Sequence, residues 1–194
     1  MMVLGIYGSP RKTGNTDLML DAFLDGAASA GGEVQRLYVR DLNIQGCLEC
    51  GQCDKEGKCV LVDDMMQVFP LLEATPRVVV ASPIFFYGVT GRLKLLIDRT
   101  QALYMQNELA RKAGADLGRL RLQRRGFFLS AGATRGKKLF DCAILTMKYF
   151  FDAINMDHDG ELCYRQVEHR GDIKSHATAL TECHQAGARF VTGA

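Results

Sequence analysis

Short strand-like runs, several of them apolar throughout, alternate with helix-spaced stretches along this chain, and that alternation limits the fold more than any other feature. Residues 3–7, 34–39, 78–81, 126–130 and 162–167 read as strands, with three successive valines at 78–80. A strand apolar at every position is buried on both faces, as in a parallel sheet. Helical spacing fills the gaps at 15–29, at 91–105, at 136–154 and at 173–190. A further helix, opened by Asp63-Asp64 as an acidic cap, runs through Leu72. Such alternation gives one parallel sheet with helices on both faces. Residues 107–123 are basic and irregular, and read as a mobile excursion.

Five strands joined this way fit a doubly wound α/β sheet of flavodoxin-like order 2-1-3-4-5. The 194 residues suit one domain spanning 1–194. A net charge of +2 supplies no strong pull toward nucleic acid, and no apolar run reaches membrane-spanning length. The opening MMVLGIYGSPRKTGNT lacks a basic region and a small-residue cleavage site, so it reads as a buried strand and not as a signal peptide. The expected location is the cytoplasm, with neither nucleic acid nor membrane as partner.

The loop after the first strand carries Ser9, Arg11, Gly14, Asn15 and Thr16. Ligands of open α/β sheets bind at the carboxyl ends of the strands, where a helix N-terminus offers free N–H groups to a phosphate. Arg11 adds a fixed cation and Gly14 permits close approach. There is no Gly-Lys-[Ser/Thr] ending and no G-x-G-x-x-G, so neither a P-loop nor a dinucleotide fingerprint is present. The plainer alternative is a turn in which Asn15 or Thr16 caps the helix. After the third strand, Pro83, Ile84, Phe85, Phe86, Tyr87 and Gly88 form an apolar, aromatic loop suited to the wall of a flat ring. Core packing is the alternative for those aromatics. After the fourth strand, Ser130 and Gly132 sit among small residues that admit a ring edge.

The seven cysteines divide unevenly. Cys142, Cys163 and Cys183 are scattered and read as small core residues, whereas Cys47, Cys50, Cys53 and Cys59 follow the spacing C-x2-C-x2-C-x5-C within residues 46–62. Four thiolates so close in sequence can converge on an iron–sulfur cluster. Zinc, a disulfide or free thiols, and a redox C-x-x-C pair are the other readings. The histidines at 158, 169, 176 and 184 read as surface or structural residues.

The stretch Ser9-Pro10-Arg11-x-x-Gly14-Asn15-Thr16 resembles the phosphate loop of the NADPH-dependent FMN reductases and of the iron–sulfur flavoproteins within that superfamily. The cysteine segment, through Asp63-Asp64-Met65, is similar to the compact cluster motif of the latter. The resemblance implies FMN held by the loops after strands one, three and four, with a [4Fe–4S] cluster on the four cysteines. It further implies electron transfer from a ferredoxin-like donor and a homodimer or tetramer, with the 91–105 helix at the dimer contact. In that helix Leu93, Leu96, Ile97, Leu103 and Tyr104 exceed one core-facing stripe, so some are expected to face a partner. The alternative function is an NAD(P)H-dependent FMN or quinone reductase without a functional cluster; a zinc-stabilised binding module is a third.

Overall fold

Val78, Val79 and Val80 are all fully buried because their side chains alternate between two helical layers. In the computed structural model, which describes residues 1–193, they lie in the central strand of a five-stranded sheet. The strands are β1 (Met2–Tyr7), β2 (Glu33–Tyr38), β3 (Arg77–Pro83), β4 (Arg125–Gly132) and β5 (Asp157–Arg165). Their order is β2-β1-β3-β4-β5 and every pairing is parallel, as the alternation predicts. Val78 and Val80 face the layer of α3 (Met65–Ala74), α4 (Gly91–Arg99), α5 (Gln101–Lys112) and α7 (Asp141–Ala153). Val79 and Ala81 face α1 (Asn15–Ser29) and α8 (Ala179–Thr192). Two short helices, α2 (Cys53–Glu56) and α6 (Leu117–Arg121), complete the set. Among the described residues no helix is long and apolar enough to cross a membrane.

Several boundaries differ from expectation, each for a local reason. The 91–105 helix is two helices, broken at Thr100, whose hydroxyl donates to the Ile97 carbonyl at 2.6 Å. A threonine hydroxyl competing for a backbone carbonyl bends a helix without any glycine or proline to announce it. Leu93, Leu96, Ile97 and Leu103 are buried within one chain, and Tyr104 is half-buried, so most of the apolar stripe faces the core. Residues 107–123 are not an irregular excursion: α5 continues to Lys112, and α6 is held by Arg121, which pairs with Asp152 and with Asp157 at 2.6 Å. β5 begins five residues before the predicted 162 because Asp157, His158 and Asp159 are polar, as suits an edge strand. The 136–154 helix starts only at Asp141, and the 173–190 helix is a 3-10 turn (Asp172–Ser175) followed by α8, whose first N–H groups are accepted by His176 Nδ1. Cys183 is buried and Cys163 half-buried, with burial pushing both thiols up to about 12, but Cys142 is exposed on α7 rather than in the core.

α1 and α8 cross at backbone contact. A Cβ on Gly187 would stand 1.8 Å from the Phe23 carbonyl oxygen, and one on Gly26 would stand 1.9 Å from that of His184. Gly187→Ala therefore forces the helices apart. The expected loss is about 1–3 kcal/mol, read as a lower urea midpoint with an unchanged slope.

Candidate functional site

Parallel pairing sends the loops after all five strands out of one edge of the sheet, and there they form two recesses. The first is a cleft of about 190 Å³ between the loops after β1, β3, β4 and β5. It is lined by Ser9, Pro10, Arg11, Gly14, Asn15, Thr16, Pro83, Ile84, Phe85, Ala131, Gly132, Ala133, Val167 and Glu168.

The helix start at this cleft is open. Gly14 occupies the N-cap of α1 and no side chain caps the helix, so neither Asn15 nor Thr16 serves as the cap. The first-turn N–H groups are then free for an anion. A Cβ at Gly14 would crowd the Arg11 carbonyl at 3.2 Å and Ser9 Oγ at 3.4 Å, inside the concavity that a phosphate oxygen needs. Ser9 Oγ accepts from the Arg11 N–H at 3.1 Å, which curls the loop toward the helix. Behind the loop lies a buried pair, Arg40 Nη1 and Asp17 Oδ2 at 2.9 Å. Asp17 also accepts from the Thr13 N–H at 3.1 Å, and Arg40 reaches the Ser9 carbonyl at 3.3 Å. The pair thus braces both ends of the loop. Burial pushes the Asp17 carboxyl up, against the pull of Arg40.

Asn15 has a different task from the one its position suggests. Its Nδ2 donates to the His169 carbonyl at 2.8 Å, and its Oδ1 accepts from the Gly171 N–H at 2.9 Å. The carboxamide is therefore spent on the loop after β5, and only the Asn15 backbone remains for a ligand.

The structure gathers nine of the predicted residues in the cleft (Ser9, Arg11, Gly14, Asn15, Thr16, Pro83, Ile84, Phe85 and Gly132) and leaves four outside its lining. Ser130 is fully buried and donates to the Ser82 carbonyl at 2.8 Å, so it ties β4 to β3 beneath the cleft. Gly88 closes a bridge with Phe85. Phe86 is wholly exposed and Tyr87 half-exposed, both with left-handed backbones at φ 48° and 64°. These two aromatics pack into no core; they stand at the loop tip. Val167 and Glu168 line the cleft without having been expected. The signal was available, since the loop after β5 must leave the same sheet edge as the others. None of the four histidines lines the cleft.

The second recess, about 680 Å³, is lined by Cys47, Cys50, Cys53 and Cys59 together with Asp98, Arg99, Gln101 and Ala102. It belongs to residues 42–64, between β2 and α3, and is backed by the α4–α5 junction. Gly57 seats the segment on α5. Its φ is +66°, and a Cβ would lie 2.8 Å from the Gln106 Cα. At the root of the segment, Asp63 and the fully buried Arg99 pair at 2.6 Å. Asp63 accepts from the Gln45 and Met65 N–H groups at 2.9 and 3.0 Å, and Arg99 donates to the Gln45 and Leu61 carbonyls at 3.0 and 3.3 Å. The hydrogen bonds lower the Asp63 pKa against the opposing effect of burial. One ion pair thereby joins the two shoulders of the cysteine segment.

All seven cysteines are free thiols, and among the described residues no three His, Cys, Asp or Glu side chains are grouped tightly enough for a metal ion. Sulfurs around one tetrahedral zinc lie roughly 3.8 Å apart, given Zn–S bonds of about 2.3 Å. A cluster that offers a separate iron to each thiolate needs a wider set of ligands. Four thiols around a single recess suit the wider group in donor chemistry. Burial, then the charges of Asp54 and neighbouring thiolates, raises the Cys53 pKa, so loading a metal there must displace a proton.

The pattern of the NADPH-dependent FMN reductase family matches residues 1–139. The chain belongs to that family. Within the NADPH-dependent FMN reductases it is similar to proteins named iron–sulfur flavoprotein. One from Archaeoglobus fulgidus is 41% identical over 99 residues, 51% of this chain and 45% of that one. Another, from Methanocaldococcus jannaschii, is 35% identical over 114 residues, 59% of each chain. A third, from Methanosarcina thermophila, is 33% identical over 118 residues, 60% of this chain and 62% of that one. The likeness thus spans about half to three-fifths of these relatives' lengths. In fold the chain is similar to an NAD(P)H:quinone oxidoreductase from Methanothermobacter marburgensis, with TM-score 0.74, 15% identity and coverage of 97% and 95%.

Arg11→Ala should weaken FMN binding while leaving the fold intact. A charged hydrogen bond is worth about 1.5–3 kcal/mol, or roughly tenfold to a hundredfold in affinity. Fluorescence titration of apoprotein with FMN reads the change, and an unaltered Kd would remove Arg11 from the site.

Proposed function

We propose that the protein is a flavin-dependent oxidoreductase that holds FMN in the cleft and a [4Fe–4S] cluster on Cys47, Cys50, Cys53 and Cys59. On this reading it passes electrons between a ferredoxin-like carrier and FMN. The observation that carries the proposal is the shared sheet edge, with an uncapped, cation-flanked helix start in one recess and four free thiols around the other. FMN takes one or two electrons and the cluster takes one, so together they link single-electron carriers to two-electron chemistry.

The chain's own residues supply binding and orientation. The N–H groups at the start of α1, Ser9 and Arg11 hold the phosphate end. Pro83, Ile84 and Phe85 form one wall for the ring, and Gly132 and its neighbours form the other. A cleft of about 190 Å³ is smaller than the roughly 300–1,000 Å³ that buries a whole drug-sized ligand. Part of a bound ring therefore stays accessible to a partner beside Phe86 and Tyr87. The rim is basic, with Arg11, Lys12, Arg135, Lys137, Arg165 and Arg170 all exposed on the loops after β1, β4 and β5. That charge suits an acidic protein carrier. The exposed Phe85–Tyr87 tip offers apolar surface to a second copy of the chain.

A second reading, an NAD(P)H-dependent FMN or quinone reductase without a functional cluster, is favoured by the spread of the thiols and by the same basic rim, which also attracts nucleotide phosphate. Iron, sulfide, zinc and flavin content after anaerobic purification separates the readings. Iron and sulfide with FMN support the first, FMN alone the second, and zinc without turnover a binding module.

Cys50→Ser and Cys53→Ser should lose iron and sulfide but keep FMN, because the flavin loops are untouched. Flavin reduction by reduced ferredoxin should then slow sharply at matched flavin occupancy, while chemical reduction persists; equal rates would end the cluster reading. Ferredoxin-dependent reduction by the unaltered protein should also fall steeply as salt rises from low to physiological strength. Stopped-flow rates that ignore salt would remove the basic rim as the docking surface.

A further inference from the structure

Arg99 is spent more extravagantly than closure of the cysteine segment requires. Its side chain has no exposed surface, and the Asp63 carboxylate beside it is nearly as enclosed. Burying such a pair is costly, and well-packed apolar side chains commonly hold two segments together as well or better. The shoulders already have a neutral tie, the Asp64 N–H donating to the Asn43 carbonyl at 3.3 Å. Arg99 also leaves its Nε buried without a hydrogen-bond partner, although its two terminal nitrogens are used. Unmet buried donors are rare and call for an explanation. Arg99 is also one of the residues that surround the recess of the four cysteines, its enclosed side chain standing behind the wall.

We propose that Arg99 is a positioning residue of the thiolate site, a fixed cation whose charge sets how readily the group held there accepts an electron. This rests on the cluster reading given above. A guanidinium stays charged in proteins, and here it is paired with the Asp63 carboxylate at 2.6 Å. One electron enters from a single-electron carrier, no ligand bond forms or breaks, and the site gains one unit of negative charge. Four thiolates holding a cluster would give the recess a negative potential. A buried cation offsets the added charge with little solvent screening, and charge and hydrogen bonds at the sulfurs are what set such potentials. Asp63 acts in the opposite sense, so removing either partner should move the equilibrium in opposite directions.

The test uses anaerobically purified or reconstituted full chain, with iron and sulfide assayed first. A wild-type protein that takes up no iron and sulfide fails at the cluster reading, before Arg99 is examined, and takes this inference with it. With the cluster present, the midpoint is read by spectroscopically monitored redox titration. Arg99→Gln should make reduction about tenfold less favourable, a midpoint lower by about 59 mV for one electron. Arg99→Lys, which keeps the charge, should stay close to wild type. An Arg99→Gln midpoint equal to that of wild type overturns the proposal. If Arg99→Gln does not fold, Asp63→Asn decides. It keeps the shape of the pair and the arginine charge, so its midpoint should rise, and an unchanged or lower midpoint overturns the proposal. A purely structural pair would lower cluster content in both variants without separating their potentials in sign.

Discussion

Parallel pairing is the constraint from which the rest of this structure follows. Each strand must return to the same end of the sheet before it pairs again, so every crossover is a helix and every strand finishes on the same side. Burial on both faces confines charge to the first residues of the central strands, Arg77 and Arg125, and forces most polar chemistry into the loops. The phosphate-sized helix start, the aromatic tip and the cysteine segment come from distant parts of the sequence, yet they share one edge because no other edge is open to them. Two buried ion pairs then stiffen what the sheet only assembles. Asp17 and Arg40 brace the loop after β1, and Asp63 and Arg99 close the base of the cysteine segment.

The sheet was legible because its evidence is local. Consecutive apolar residues such as Val78 to Val80 mean two-sided burial wherever they occur. The α1 helix, from Asn15 to Ser29, was readable from its spacing and from the glycines that end it. Elements whose boundaries depend on a tertiary partner were not. The start of β5 is polar because it lies at an edge, and the break at Thr100 depends on one hydroxyl turning inward. Apolar spacing across that break looked continuous, although most of that stripe turns to the core.

The candidate site was readable in part for the same reason. Loop position after a strand located Ser9, Arg11, Gly14, Pro83 and Phe85. It could not foretell that the Asn15 carboxamide would be consumed by backbone groups near residue 170, or that Ser130 would turn under the sheet. Nor could spacing distinguish thiols gathered about a point from thiols arranged around a recess. Asp63 was read as a helix cap. It does receive the Met65 N–H at 3.0 Å, but its larger part is the pair with Arg99, which lies 36 residues on.

The stitch made by Asn15 bears on where this molecule can be divided. Family likeness runs over residues 1–139, and a reader of that match would place a natural seam there. The fold places none. β5 completes the sheet, α8 lies against α1 at backbone contact, and Arg170 donates to the Lys12 carbonyl at 3.0 Å. The segment beyond the match is thus an inner lining of the loop after β1. Kinship and cooperative folding have different borders in this chain. A protease nick or a truncation after residue 139 would open the ligand site from behind, although every residue that resembles a flavin contact would still be present.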